Sequence, residues 1–227
     1  MTRVLVVGTY HEEKGLVTVP RLVAILERIR PEVIFLELPS AALGDFLDGT
    51  RSNLESTAVR QYRENREVLL VPVDLPEPDE GFFRGKRFLV QKIERTSREY
   101  CRLIDENARC IERSGFAYLN SERSSQALSA IHEEMRDTVE WLADRRAVDH
   151  RRVIEVYESW TTMNERREEA MLRGIDDYSR LQPFTKGVFL IGAAHRRSIL
   201  TKARERAGDV LSRIDGDLSE FSDVFGE

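Results

Sequence analysis

Cysteine, proline and histidine are all scarce in this sequence, with two, seven and four copies in 227 residues. Cys101 and Cys110 lie nine positions apart in a stretch that reads as helix. That spacing puts them on opposite faces, about 13 Å apart along the axis, too far for a bridge. Two free thiols suit a reducing compartment. No apolar run approaches the length of a membrane span. The opening Val4–Val7 run is too short for a signal-peptide core. The expectation is a cytoplasmic protein with no membrane span. Basic excess is also missing: 35 Lys and Arg face 40 Asp and Glu, a formal net charge of -5. A dedicated nucleic-acid partner, which needs a basic face, is therefore not expected.

Four short apolar runs stand out, Val4–Val7, Val33–Leu36, Val68–Val71 and Val188–Ile191. Each is continuous rather than alternating, the pattern of a strand covered on both faces in a parallel sheet. Between the first two, Leu22, Val23, Ile25, Leu26 and Ile29 recur at helical spacing and Pro31 closes the segment, giving a βαβ unit. From Arg84 to about Tyr178 there is no proline. Leu89, Ile93, Tyr100, Leu103, Ile104 and Ile111 form one amphipathic stripe. A second holds Leu128, Ile131, Met135, Val139 and Leu142, and a third Ile154, Tyr157, Trp160, Met171, Ile175 and Tyr178. The pattern predicts three long helices, with turns near Ser114-Gly115 and Ala143–Asp149. Arg196 to Ala207 reads as a closing helix.

The expected fold is one α/β domain over residues 1–227. It has a mainly parallel central sheet, flanking helices and a helical insertion over about 84–180 before the last strand. The acidic end, about 215–227, reads as weakly ordered. Its Asp215-Gly216-Asp217 lacks the glycine a calcium loop needs at its sixth position.

The chemistry converges on two Gly-x-x-His turns, Gly8-Thr9-Tyr10-His11 and Gly192-Ala193-Ala194-His195, each directly after an apolar strand. Chance supplies only about 0.2 such pairs in a chain of this composition. Glu37 ends the second apolar run and Asp74 the third. In a parallel sheet these ends share one edge, where ligands bind. The two glycines are expected to let the chain turn sharply as it leaves each strand. Taken singly, Glu37 also fits a cap, Asp74 a turn former, His11 a solvated side chain and His195 a helix cap. His132 and His150 lie in the charged helical block and read as surface residues. Arg166, late on the third stripe, is placed to hold Glu37 or a substrate carboxylate or phosphate. A solvated charge run is the competing account of it.

These segments resemble the TraB/PrgY family, whose relatives include the Tiki proteins and the erythromycin-esterase/ChaN-like superfamily. The matching stretches are Val-Gly-Thr-Tyr-His, Phe-Leu-Glu-Leu, Glu-Arg-Arg-Glu-Glu-Ala-Met and Leu-Ile-Gly-Ala-Ala-His. They sit at both ends of the chain, while the helical middle matches only in character. The resemblance implies a site of His11, Glu37, Arg166 and His195. It links the Tiki branch to metal-dependent proteolysis, the esterase branch to hydrolysis, the ChaN branch to haem, and the TraB/PrgY branch to signal-peptide shutdown. The sequence departs from the TraB pattern at Tyr10, usually Ala, and Arg167, usually Asn. It also has no apolar run long enough for the membrane helices that often follow the domain.

The expectation is a metal-dependent hydrolase acting on a peptide, ester or amide bond of a peptide or small-molecule substrate. His11, Glu37 and His195 would hold a divalent Mn, Co, Zn or Fe ion, and Arg166 would stabilise an oxyanion. Gly8, Gly192, Tyr10 and Asp74 would line the binding site. A metal-free version uses one histidine as general base, oriented by Glu37, and the other as acid. The alternative from another class is a haem-binding protein ligated through His11, Tyr10 or His195.

Overall fold

The computed structural model describes residues 2–50, 52–205 and 213–225. The four apolar runs form strands β1 (Arg3–Thr9), β2 (Val33–Pro39), β3 (Leu69–Asp74) and β4 (Lys186–Gly192), and a short β5 (Ile214–Asp215) follows. Every pairing is parallel, in the order β3-β2-β4-β1-β5. The helices are α1 (Val19–Ile29), α2 (Leu43–Asp48), α3 (Leu54–Asn65), α4 (Glu80–Thr96), α5 (Arg98–Leu119), α6 (Glu122–Asp144), α7 (His150–Leu181), α8 (Ala193–Glu205) and α9 (Ser222–Phe225). The expected architecture holds: a parallel sheet flanked by helices, with a long helical segment before β4.

Side-chain alternation along the strands builds two cores. Leu5, Val7, Ile34, Leu36, Val188 and Leu190 pack against α1 and α3. Val4, Val6, Val33, Phe35, Phe189 and Ile191 pack against Met171, Leu172 and Ile175 of α7 and Ile199 of α8. α1 thus covers one face and α8 the other. β1 leads through α1 toward β2, while β4 leads through α8 past β1 to β5. The chain therefore departs in opposite directions from the adjacent strands β1 and β4. This is a topological switch point, and it opens a crevice at their carboxyl ends. A third core, including Leu89, Ile93, Ile131, Met135 and Val153, holds α4, α5, α6 and the first half of α7 together beyond the sheet.

Five expectations change. The stripe from Leu89 to Ile111 is two helices, because Ser97 leaves the helical conformation and caps α5 through the Tyr100 amide. The turn expected at Ser114-Gly115 is instead a break inside α5, where Gly115 has φ 51°. A side chain there would meet Leu16 as well as the backbone penalty. β3 is an edge strand, so Leu69 is 62% exposed and Pro72 is tolerated within the strand.

The acidic end is docked over residues 214–225, because Ile214, Leu218, Phe221 and Phe225 are buried between its charges. Arg3 pairs with Asp215 and Glu220 on its outer side. The closing helix begins at Ala193, earlier than its charged run indicated, and its expected end at Ala207 lies outside the described residues.

If the end is part of the core, Phe221→Ala should cost about 3–5 kcal/mol in urea unfolding. A loss below about 0.5 kcal/mol would show that this segment contributes nothing to the fold.

Candidate functional site

Register sets the site. Gly8 pairs with Ile191, Thr9 with Gly192, and Leu36 with Leu190. His11, Glu37 and Gly192 therefore meet at one edge of the sheet. A Cβ built on Gly192 would stand 3.3 Å from Glu37 Oε2 and 3.5 Å from His11 Nε2. Neither motif glycine is in the positive-φ region, so the expected sharp turns are absent. Gly192 keeps the space between acid and imidazole open. Gly8 lies within β1, and a Cβ there would stand 3.1 Å from the Leu119 carbonyl oxygen. Its amide donates to Asn120 Oδ1 and its carbonyl accepts from Asn120 Nδ2, which ties β1 to the end of α5.

The arginine at the site is Arg167, not Arg166. Arg167 donates through Nη2 to Glu37 Oε1 and to Asp74 Oδ2, each at 2.6 Å. Its Nε also donates to the Asp74 carboxylate. The two acids are 8% and 5% exposed, so each would be costly without this partner. Burial opposes the charge on Arg167, but the two carboxylates outweigh it and raise its pKa. Arg166 is exposed and lines a separate shallow depression with Glu165, Glu169 and Arg173. The reason is helical phase. Trp160, Asn164, Arg167, Glu168, Met171 and Ile175 lie on one face of α7 at spacings of three and four, and Arg166 falls about 150° from its centre. Continuing the apolar stripe through its polar gap would have selected Arg167.

Each histidine is held by a carboxylate that sequence reading missed. His11 Nδ1 lies 3.1 Å from Glu55 Oε1, which also accepts from the Thr9 hydroxyl. Glu55 is in the first turn of α3, fixed by the capping box of Asn53 and Ser56. The Leu54 amide in turn donates to the His11 carbonyl. His195 Nδ1 lies 2.8 Å from Glu168 Oε1, and Oε2 of Glu168 accepts from Ser198 and Lys202. A carboxylate accepts only, so both rings carry the proton on Nδ1 and turn Nε2 outward when neutral. Glu55 raises the pKa of His11 against the effect of burial. Burial works to raise Glu55 and Glu168, but hydrogen bonds from His11 and Thr9, and from His195, Lys202 and Ser198, hold both below the ordinary carboxylate value.

Two adjoining clefts of about 440 and 650 Å³ meet over these groups. Thr9, His11, Glu37, Lys86, Trp160 and Arg167 line both, while His195 and Tyr10 line only the larger and Asp74 only the smaller. Among the described residues Lys86 has no hydrogen bond or ion pair, and burial followed by the nearby Arg167 charge lowers its pKa. His132, expected as plain surface, lines the larger cleft and meets the Trp160 ring edge-on. His150 is half-buried, away from the site, against the Ala147 carbonyl.

The donor set does not fit the expected metal centre. Glu37 Oε1 is taken by Arg167 and Oε2 accepts the Gly192 amide at 2.7 Å. His195 Nε2 is 3.8 Å from Glu37 Oε1. Among the described residues, no three His, Cys, Asp or Glu side chains are grouped to hold an ion.

Comparison with family models, curated proteins and solved structures found no match.

Arg167→Met should destabilise the fold by about 3–5 kcal/mol, because it leaves two buried carboxylates unpaired. Arg166→Met should stay within about 0.5 kcal/mol of wild type. Equal losses in thermal melts would refute the assignment of the bridging role to Arg167.

Proposed function

We propose that this chain is a hydrolase of ester or amide bonds that works by metal-free acid–base chemistry. The observation that carries the reading is the pair of imidazoles, each held at Nδ1 by a buried carboxylate and lining one shared cleft. This is how histidine is fixed for proton transfer: the carboxylate sets the tautomer and stabilises the imidazolium as it forms. It also agrees with the hydrolytic branches of the TraB-like resemblance, without the metal of the Tiki branch.

In this reading His11 is the base. Its side chain is 60% exposed at the junction of the clefts, where water reaches Nε2. Nε2 takes a proton from water while the oxygen bonds to the substrate carbonyl carbon. Lys86 and Arg167 face the oxyanion that forms. The carbon–heteroatom bond then breaks, the departing oxygen or nitrogen takes the Nε2 proton of His195 in its imidazolium form, and the proton that His11 took from water restores that imidazolium. The products are a carboxylic acid and an alcohol or amine. His195 is 13% exposed, with Glu168 at one nitrogen and Glu37 near the other. It is therefore shielded from bulk water, as a proton donor to a leaving group needs to be. Glu55 and Glu168 act through the histidines as positioning residues.

Screening nitrophenyl esters and a peptide-amide panel, with and without chelator, tests the proposal. Wild type should hydrolyse members of the panel in chelator, and His11→Ala should lose roughly 10²–10⁴-fold in kcat/KM. Activity that appears only with added Mn, Co or Zn would overturn the metal-free route and return His11, Glu37 and His195 to the role of ligands. A Soret band on haem titration, lost in His11→Ala, would move the reading to the tetrapyrrole alternative.

The pH profile carries its own sign. A base must be neutral, so activity should rise with pH through the raised pKa of His11, above the ordinary imidazole value of about 6.5. Glu55→Gln removes the group that raises it, so the acidic limb should move to lower pH while kcat falls. A limb that stays in place would remove Glu55 from its positioning role.

A further inference from the structure

We propose that the substrate carries apolar groups on both sides of the bond that breaks, with the acyl part in the smaller cleft and the leaving group in the larger one. This rests on the hydrolase reading above and concerns what that site accepts.

The two clefts are separate arms that meet at His11, Lys86 and Arg167. Thr9, Glu37, Trp160, Asn164 and Gly192 complete the shared junction, and the remaining walls differ. The smaller arm runs between β2, α2 and the start of α4, past Phe46, Leu75, Phe82 and Phe83. The larger runs under α5 and α6, past Ile111, Leu119, Leu128 and Tyr157. Each has the volume of a whole small-molecule pocket, although the two figures share the junction. A site for short acyl groups would close directly beside its base. Here apolar side chains continue along both arms, among polar ones such as Ser52 and Asn53 in the smaller and Asn107 and Ser124 in the larger, so a reacting carbonyl at the junction can send a substituent into each arm. Burying both substituents contributes binding in proportion to the apolar area removed from water.

The asymmetry of the histidines gives the direction. His11 lines both arms, as the group that activates water at the central carbonyl must. His195 lines only the larger arm. The proton donor has to stand beside the atom that leaves, so the leaving group occupies the larger arm and the acyl group the smaller. The substrate class is a neutral ester or amide of an apolar acid with an apolar alcohol or amine.

The experiment uses two ester series, one varying the acyl chain on a fixed nitrophenol and one varying the alcohol on a fixed acetyl group. Phe83→Ser, at a 38% exposed position, and Leu128→Ser, at a half-buried one, change one arm each. Wild-type kcat/KM should rise with size in both series. Phe83→Ser should lose roughly 10-fold on the longest acyl chains and leave the alcohol series unchanged, and Leu128→Ser should do the reverse.

Binding of a non-hydrolysable ketone with an apolar group on each side gives a readout that needs no turnover, followed through Trp160, which lines both arms. Each variant should weaken it by a similar factor. Acetyl esters of small alcohols hydrolysed as well as long ones, or both variants moving the same series, would overturn the two-armed substrate and leave the hydrolase reading standing. No hydrolysis of any ester, with no ketone binding, would remove both.

Discussion

The buried bridge from Arg167 to Glu37 and Asp74 is the contact on which the site depends. It joins the carboxyl ends of β2 and β3 to the middle of α7, the helix that leaves the bundle of α4 to α6 and lies across the sheet. Without a cation there, two carboxylates at 8% and 5% exposure would have to take up protons or move into water. The bridge thus fixes the sheet edge and sets the position of Glu168, the next residue along α7, which holds His195. One turn of one helix therefore sets both the electrostatic floor of the cleft and the orientation of one imidazole.

What the sequence made legible is what period and strand-end position encode. Continuous apolar runs located four strands, and the two Gly-x-x-His turns located the edge at which they meet, because both signals are local. Glu55 escaped because it lies in an ordinary capped helix start, forty-four positions from His11. Nothing in the local pattern distinguishes it from a residue favourable at any helix N-terminus. Glu168 and Arg167 escaped for a different reason. They sit in a run of charges that reads as solvent-facing until the flanking stripe, Trp160 before and Met171 after, is carried through it. The docked acidic end was obscured by composition: its charges dominate the count, while four spaced apolar side chains decide where it goes.

The glycines show how a correct location can carry a wrong reason. Both were assigned a turn, yet neither has a left-handed backbone. At Gly192 the requirement comes from across the sheet, since a methyl group would fill the space between Glu37 and His11. At Gly8 it comes from α5, whose end presses against β1. Close approach leaves no trace in local sequence because the neighbour that imposes it lies far away in the chain.

Acidic side chains outnumber basic ones along the walls of the two clefts. Four carboxylates, Glu37, Glu55, Asp74 and Glu168, surround the junction. Arg167 and Lys202 pair with three of them, Glu37, Asp74 and Glu168, and Lys86 lines both clefts. His11, beside Glu55 and open to the cleft, is the one whose pKa is raised. In the proposed reaction, Lys86, which lines both clefts and has no partner among the described residues, would face the developing oxyanion. In the proposed reaction, uptake of a proton by His11 and stabilisation of that oxyanion would both draw on one fixed arrangement, present before any substrate arrives.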